Sequence, residues 1–140
     1  AKRHEEAISL YERLVTANPK LQAETNDLAA LLLDHRTDKA SFERALELAR
    51  TFADSQNPLA LDTLGWAYYR TGDFAQATRT LEQAVAGNGE VPVLRYHLGM
   101  AYLALGNKAG ARAELAKAVA APKADFTGLD NARNALANIN

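Results

Sequence analysis

The chain has 140 residues, 48% hydrophobic and 24% charged, a balance that excludes a disordered polymer and suits one globular unit. Sixteen basic residues against seventeen acidic ones leave a formal net charge of -1, so no global field draws the chain to nucleic acid or to an anionic membrane. Cysteine is absent, which removes disulfides, thiolate metal sites and a cysteine nucleophile, and no apolar run approaches the roughly 20 residues of a membrane helix.

In chain order, HEEAISLYERLVTANP predicts a helix over 2–17 with Ala7, Tyr11 and Leu14 on one face and Pro19 just beyond it. ETNDLAALLLDH predicts a second over 20–35 carrying Leu28, Ala29 and Leu32, and FERALELARTFADS a third over 39–55 that packs through Ala45, Ala49 and Phe52. The spacing then predicts helices over 58–71, 74–87, 91–105 and 108–120. Gly72 and Gly106 fall where a left-handed residue ends a helix, with Asp73 and Asn107 next in line as N-caps. Gly65 and Gly99 each cost about 1 kcal/mol inside a helix, a repeated cost that implies close approach of the paired helix, with Ala77 and Ala111 opposite. A last amphipathic helix over 127–138 points Leu129, Ala132, Leu136 and Ile139 inward. Strands have no place in this reading.

Self-comparison shows an internal repeat. Leu64 and Leu98, Gly65 and Gly99, Tyr68 and Tyr102, Gly72 and Gly106, Ala77 and Ala111, Leu81 and Leu115, and Ala84 and Ala118 all stand 34 residues apart. The two texts, DTLGWAYYRTGDFAQATRTLEQAV and YHLGMAYLALGNKAGARAELAKAV, resemble the tetratricopeptide repeat (TPR) at its Leu-Gly, Tyr, Gly, Ala and aromatic-or-Leu positions. The resemblance implies an all-α, right-handed TPR superhelix of antiparallel helix pairs, about eight helices in all. We divide the single domain 1–140 accordingly: 1–19 is the second helix of a truncated repeat and 20–57 an irregular repeat with about four extra residues around His35 to Ser41. Regular repeats occupy 58–91 and 92–123, and 124–140 supplies a C-terminal capping helix, needed because a last repeat otherwise exposes its apolar face. A wider likeness to the C-terminal repeats of large bacterial TPR proteins, including TPR lipoproteins of exopolysaccharide and protein-sorting (PEP-CTERM) systems, points toward a cell envelope or periplasm and leaves the cytoplasm open.

The residues that catalysis requires are not arranged for it. His4, His35 and His97 are scattered, with His97 expected at a partly exposed position, and no helical metal pair or His-Glu-x-x-His occurs. Ser9, Ser41 and Ser55 lack a nucleophile-elbow setting, and the glycines never form a phosphate cradle. Basic residues such as Arg79, Arg95 and Arg112 alternate with Glu82 and Glu114, so no nucleic-acid stripe forms. The expectation is a chain without metal, cofactor or enzymatic activity.

In the resembled family, first-helix positions 2, 5, 9, 12 and 13 face a concave groove. Carried onto this chain, they are Leu59, Asp62, Trp66, Tyr69 and Arg70 in one repeat, and Val93, Tyr96, Met100 and Leu103 in the next, with Asn26 and Leu33 from the irregular repeat. Trp66 and Met100 are the single Trp and Met, and both fall on groove positions although Leu64, Tyr68, Leu98 and Tyr102 already fill the packing ones. Aromatic, Arg and Met side chains dominate interface energetics, so the expected partner is a protein or peptide segment held in an apolar, aromatic groove. The family's carboxylate clamp is absent, because positions 5 and 9 carry no basic pair, and the expected ligand is more apolar than acidic. Against this stands an architectural reading, in which Trp66 and Tyr69 only fill the inner face of a spacer or self-association module. Ala7, Ile8, Tyr11 and Leu14, without a preceding helix, are expected to leave an apolar patch through which the chain self-associates.

Overall fold

The computed structural model describes all residues, 1–140, and none of them is in a strand. Eight α-helices follow one another: α1 (Lys2–Ala17), α2 (Gln22–His35), α3 (Lys39–Ala49), α4 (Pro58–Arg70), α5 (Phe74–Gly87), α6 (Pro92–Ala104), α7 (Lys108–Ala120) and α8 (Leu129–Asn138). Their boundaries have local causes. The carboxylates of Asp38 and Asp73 accept from the backbone N–H of Ser41 and Gln76, and the Asn107 side chain accepts from Gly110, each satisfying a donor that the first helical turn leaves free. Pro58 and Pro92 open α4 and α6, where a missing N–H costs nothing.

The stops between α4 and α5 and between α6 and α7 share one geometry. Gly72 and Gly106 adopt φ of +91° and +81°. Gly72 N–H then donates to the Tyr69 carbonyl and Asp73 N–H to that of Tyr68, and Gly106 and Asn107 repeat the pattern on Leu103 and Tyr102. This is a Schellman closure, and it reverses the chain within three residues.

Pairs α2–α3, α4–α5 and α6–α7 pack as hairpins, and each abuts the next through α3–α4 and α5–α6. Helices α2, α4, α6 and α8 also touch in succession, forming an inner row. α8 thus occupies the place of a next first helix and packs on α7, with Ala132 fully buried. Gly65 and Gly99 do mark close approach, but the neighbours are chiefly Leu81 and Leu115 rather than Ala77 and Ala111. A Cβ on Gly65 would lie 2.5 Å from Leu81 Cγ, and one on Gly99 2.7 Å from Leu115 Cγ. Each glycine makes room for a leucine that is completely buried at the crossing.

α2 starts at Gln22 rather than 20, α4 stops at Arg70 rather than 71, α6 spans Pro92–Ala104 rather than 91–105, and two further boundaries differ for evident reasons. α3 gives way at Arg50–Phe52 to a 3-10 turn, whose i→i+3 bonds tighten the end of the helix while Phe52 stays in the core. α8 starts at Leu129 because Gly128, at φ +101°, is left-handed, and a Cβ there would meet the Tyr96 ring at 2.5 Å. At the other end, bidentate pairs from Arg36 to Glu5 and from Arg44 to Glu12 tie α1 to the following hairpin. Ile8, expected in an uncovered patch, is buried against that hairpin, and the exposed apolar side chains of α1 are Leu10 and Leu14.

Candidate functional site

α4 and α6 lie side by side in the inner row, and the side chains they turn to one another centre on Trp66. Its indole is sandwiched between Tyr69, at 4.5 Å and 4° from parallel, and His97, at 3.9 Å and 17°. Tyr96 closes a third side at 5.6 Å and in turn meets Phe126, which precedes the cap. The Arg70 guanidinium lies 5.0 Å from the Trp66 ring and 5.4 Å from that of Phe42, on α3. Trp66 is therefore not left free by packing: only 3% of it is exposed, and its Nε1–H has no acceptor in the chain.

The expected groove residues sort by accessibility. Leu33, Asp62, Trp66 and Tyr96 are buried; Asn26, Tyr69, Val93, Met100 and Leu103 are half-buried; Leu59 and Arg70 are exposed. Trp66, Tyr69, Arg70 and Tyr96 come together directly. Met100 stands one turn beyond Tyr96 and packs on the same core. Asn26 and Leu59 instead line another cleft, of about 420 Å³, beside Phe52 and Asn57. The Asn26 Oδ1 is buried there without a donor.

Sequence reasoning placed His97 at a partly exposed position, and the fold corrects this. His97 is 5% exposed, and its Nδ1–H donates to Asp62 Oδ1 at 2.8 Å, since a carboxylate can only accept. The two are 35 residues apart and meet because α6 turns one flank toward the preceding first helix. No hydroxyl is bonded to this imidazole, so the pair orients no nucleophile. The remaining histidines are not scattered either: His4 and His35 stack at 3.6 Å where α1 meets α2. Desolvation first, and the His35 charge second, hold the His4 imidazole below its ordinary value. No group of three or more His, Asp or Glu side chains is arranged to hold a metal ion.

Burial shapes the other titrations. Desolvation pushes the Asp34 carboxyl above its ordinary range, against the opposing pull of His97, His35 and Arg70. Tyr69 and Tyr96 are raised chiefly by burial, and Tyr102 is pushed up to about 12 by burial and by its hydrogen bond to Glu82. Phe42, Phe74 and Phe126 were missed from sequence. Phe42 and Phe74 stand on second helices, and Phe126 in the link to the cap, where the repeat assigns no groove position.

The inner row of first helices and the outer row of second helices define a helical-repeat fold. Residues 63–125 match the tetratricopeptide repeat family. Among solved structures the chain is similar to a thermophilic TPR protein of Thermus thermophilus, at 25% identity and TM-score 0.75, over 99% of this chain and 73% of that one. It is also similar to MamA, at 21% identity and TM-score 0.70, over 95% of this chain and 74% of that one. MamA from Desulfovibrio magneticus superposes at 18% identity and TM-score 0.67, over 84% and 65% of the two chains. No curated protein matches the sequence significantly. These likenesses support the repeat and the fold, not the finer resemblance to lipoproteins of exopolysaccharide systems. No helix is long and apolar enough to cross a membrane.

Proposed function

We propose that the chain is a non-catalytic protein-interaction scaffold whose inner row of helices holds a segment of a partner protein. The observation that carries this reading is the contrast around Trp66. The indole itself is sealed, while Tyr69 and Arg70 beside it, and Met100 and Leu103 farther along α6, keep part of their surface open. A rigid aromatic floor with adaptable neighbours is the composition of an interface hot spot, and its rigidity lowers the ordering cost of binding. The sealed Trp66 supports this arrangement from beneath and is not itself the contact surface.

Peptides selected against the protein from a random displayed library test the proposal. A Met100→Glu, Leu103→Glu double variant should lose them by about ten-fold or more in affinity with unchanged helicity. Gln83→Glu, on an exposed position of α5, should retain them. Equal binding by the double variant, or a library that yields no binder, would favour the architectural reading.

A further inference from the structure

A second hollow lies at the edge of the inner row, between α3 and the turn joining α4 to α5. It encloses about 420 Å³, and its walls include Phe42, Tyr69 and Phe74 with the charged groups of Arg70, Lys39 and Glu43. That volume falls in the range of about 300–1,000 Å³ typical of specific small-ligand sites. Tyr69 and Phe74 meet at 5.5 Å and 54°, a tilted pair that presents both a ring face and a ring edge.

Arg70 sets the chemistry of this cleft. Arg36, Arg44 and Arg95 each hold a carboxylate within the chain. Arg70 bonds none and makes no hydrogen bond to any group of the chain, yet the rings of Trp66 and Phe42 hold its guanidinium in place. Five N–H donors are therefore pre-positioned and unspent, which is the arrangement that receives a carboxylate in two-pronged fashion. The charges nearby do not satisfy it. Glu43 faces Lys39 in an exposed 3.6 Å pair and makes no bond to Arg70, and Asp34 acts on Arg70 through its charge alone. Two cations against one anion line the cleft, so an added acid is complementary.

We propose that this cleft takes an internal segment of a partner protein in which a large apolar side chain directly neighbours an acidic one, the first seated among Phe42, Tyr69 and Phe74 and the second on Arg70. This names the ligand class for the scaffold and so rests on the reading above. Tyr69 is the wall common to the cleft and to the Trp66 stack, so a segment that continues past the cleft on that side meets the same inner face.

The test uses fluorescence anisotropy with an acetylated, amidated peptide carrying a central Phe-Asp pair in a Gly/Ser frame. Companion peptides carry Phe-Asn, Ala-Asp, or a free C-terminal Phe without the Asp. Wild-type protein should bind the Phe-Asp peptide about ten-fold tighter than the Phe-Asn and Ala-Asp peptides. Arg70→Gln should erase the preference for Asp over Asn while sparing that for Phe over Ala, and Phe74→Ala, which leaves both rings on Arg70 in place, should do the reverse. Equal binding of the Asp and Asn peptides, or no binding of the Phe-Asp peptide, overturns the proposal. Tighter binding of the free C-terminal Phe also overturns it, in favour of a chain end. If library peptides remain sensitive to the Met100 and Leu103 variant in any of those cases, the scaffold reading survives the loss of this one.

Discussion

Asp34 sits at the end of α2, half-buried in the neighbourhood of Arg70 and His97, and burial raises its carboxyl above the ordinary value of 3.8. A raised carboxylate means that the folded state holds its proton when the unfolded chain has already released it. Stability from this residue is then fully present below 3.8 and is lost as pH climbs through the raised folded value. Asp34→Asn removes the desolvated charge, so it should be more stable than the parent at pH 7, with the difference shrinking on acidification. Urea midpoints measured from pH 7 down to pH 4 check this, and a variant less stable at pH 7 would refute it. His97 and Asp62 make the opposite case: each buried group has its partner, and truncating either strands the other.

Among the elements, α6 and α7 meet where Gly99 lets Leu115 in. Gly99→Ala gains up to about 1 kcal/mol of helix propensity but drives a methyl into Leu115 Cγ, an overpacking that costs about 1–3 kcal/mol. The net expectation is a loss of about 1 kcal/mol in chemical denaturation with unchanged helicity. A stabilised Gly99→Ala would show that the hairpin crossing is looser than described. The same geometry recurs at Gly65 and Leu81, so the two hairpins should respond alike.

At the scale of the whole molecule, the inner row ends on α8, whereas α1 turns Leu10 and Leu14 outward, 50% and 38% exposed and one turn apart. Paired apolar side chains at i, i+4 on one helix face form a seam that a second copy can cover. Sedimentation velocity across a concentration series should show a dimer. A Leu10→Glu, Leu14→Glu variant should stay monomeric, and a parent that is monomeric throughout the series would dismiss the seam.

What the sequence determined by itself is whatever rests on neighbours in the chain. Residues 34 apart announced the paired helices, Gly72 and Gly106 their reversals, Asp73 and Asn107 their caps, because hydrogen bonds and backbone sterics within a few residues decide these. Helical periodicity also showed which flank of α4 and α6 turns inward, and so which side chains belong to that face. Only the tertiary structure decided how deeply each lies, since that depends on the slide and separation of helices far apart in sequence. Trp66 vanished beneath Tyr69 and His97, and His97 found Asp62. Arg70 came to rest between rings on α3 and α4, a meeting enabled by where the turn before α3 sets Phe42 against the next repeat.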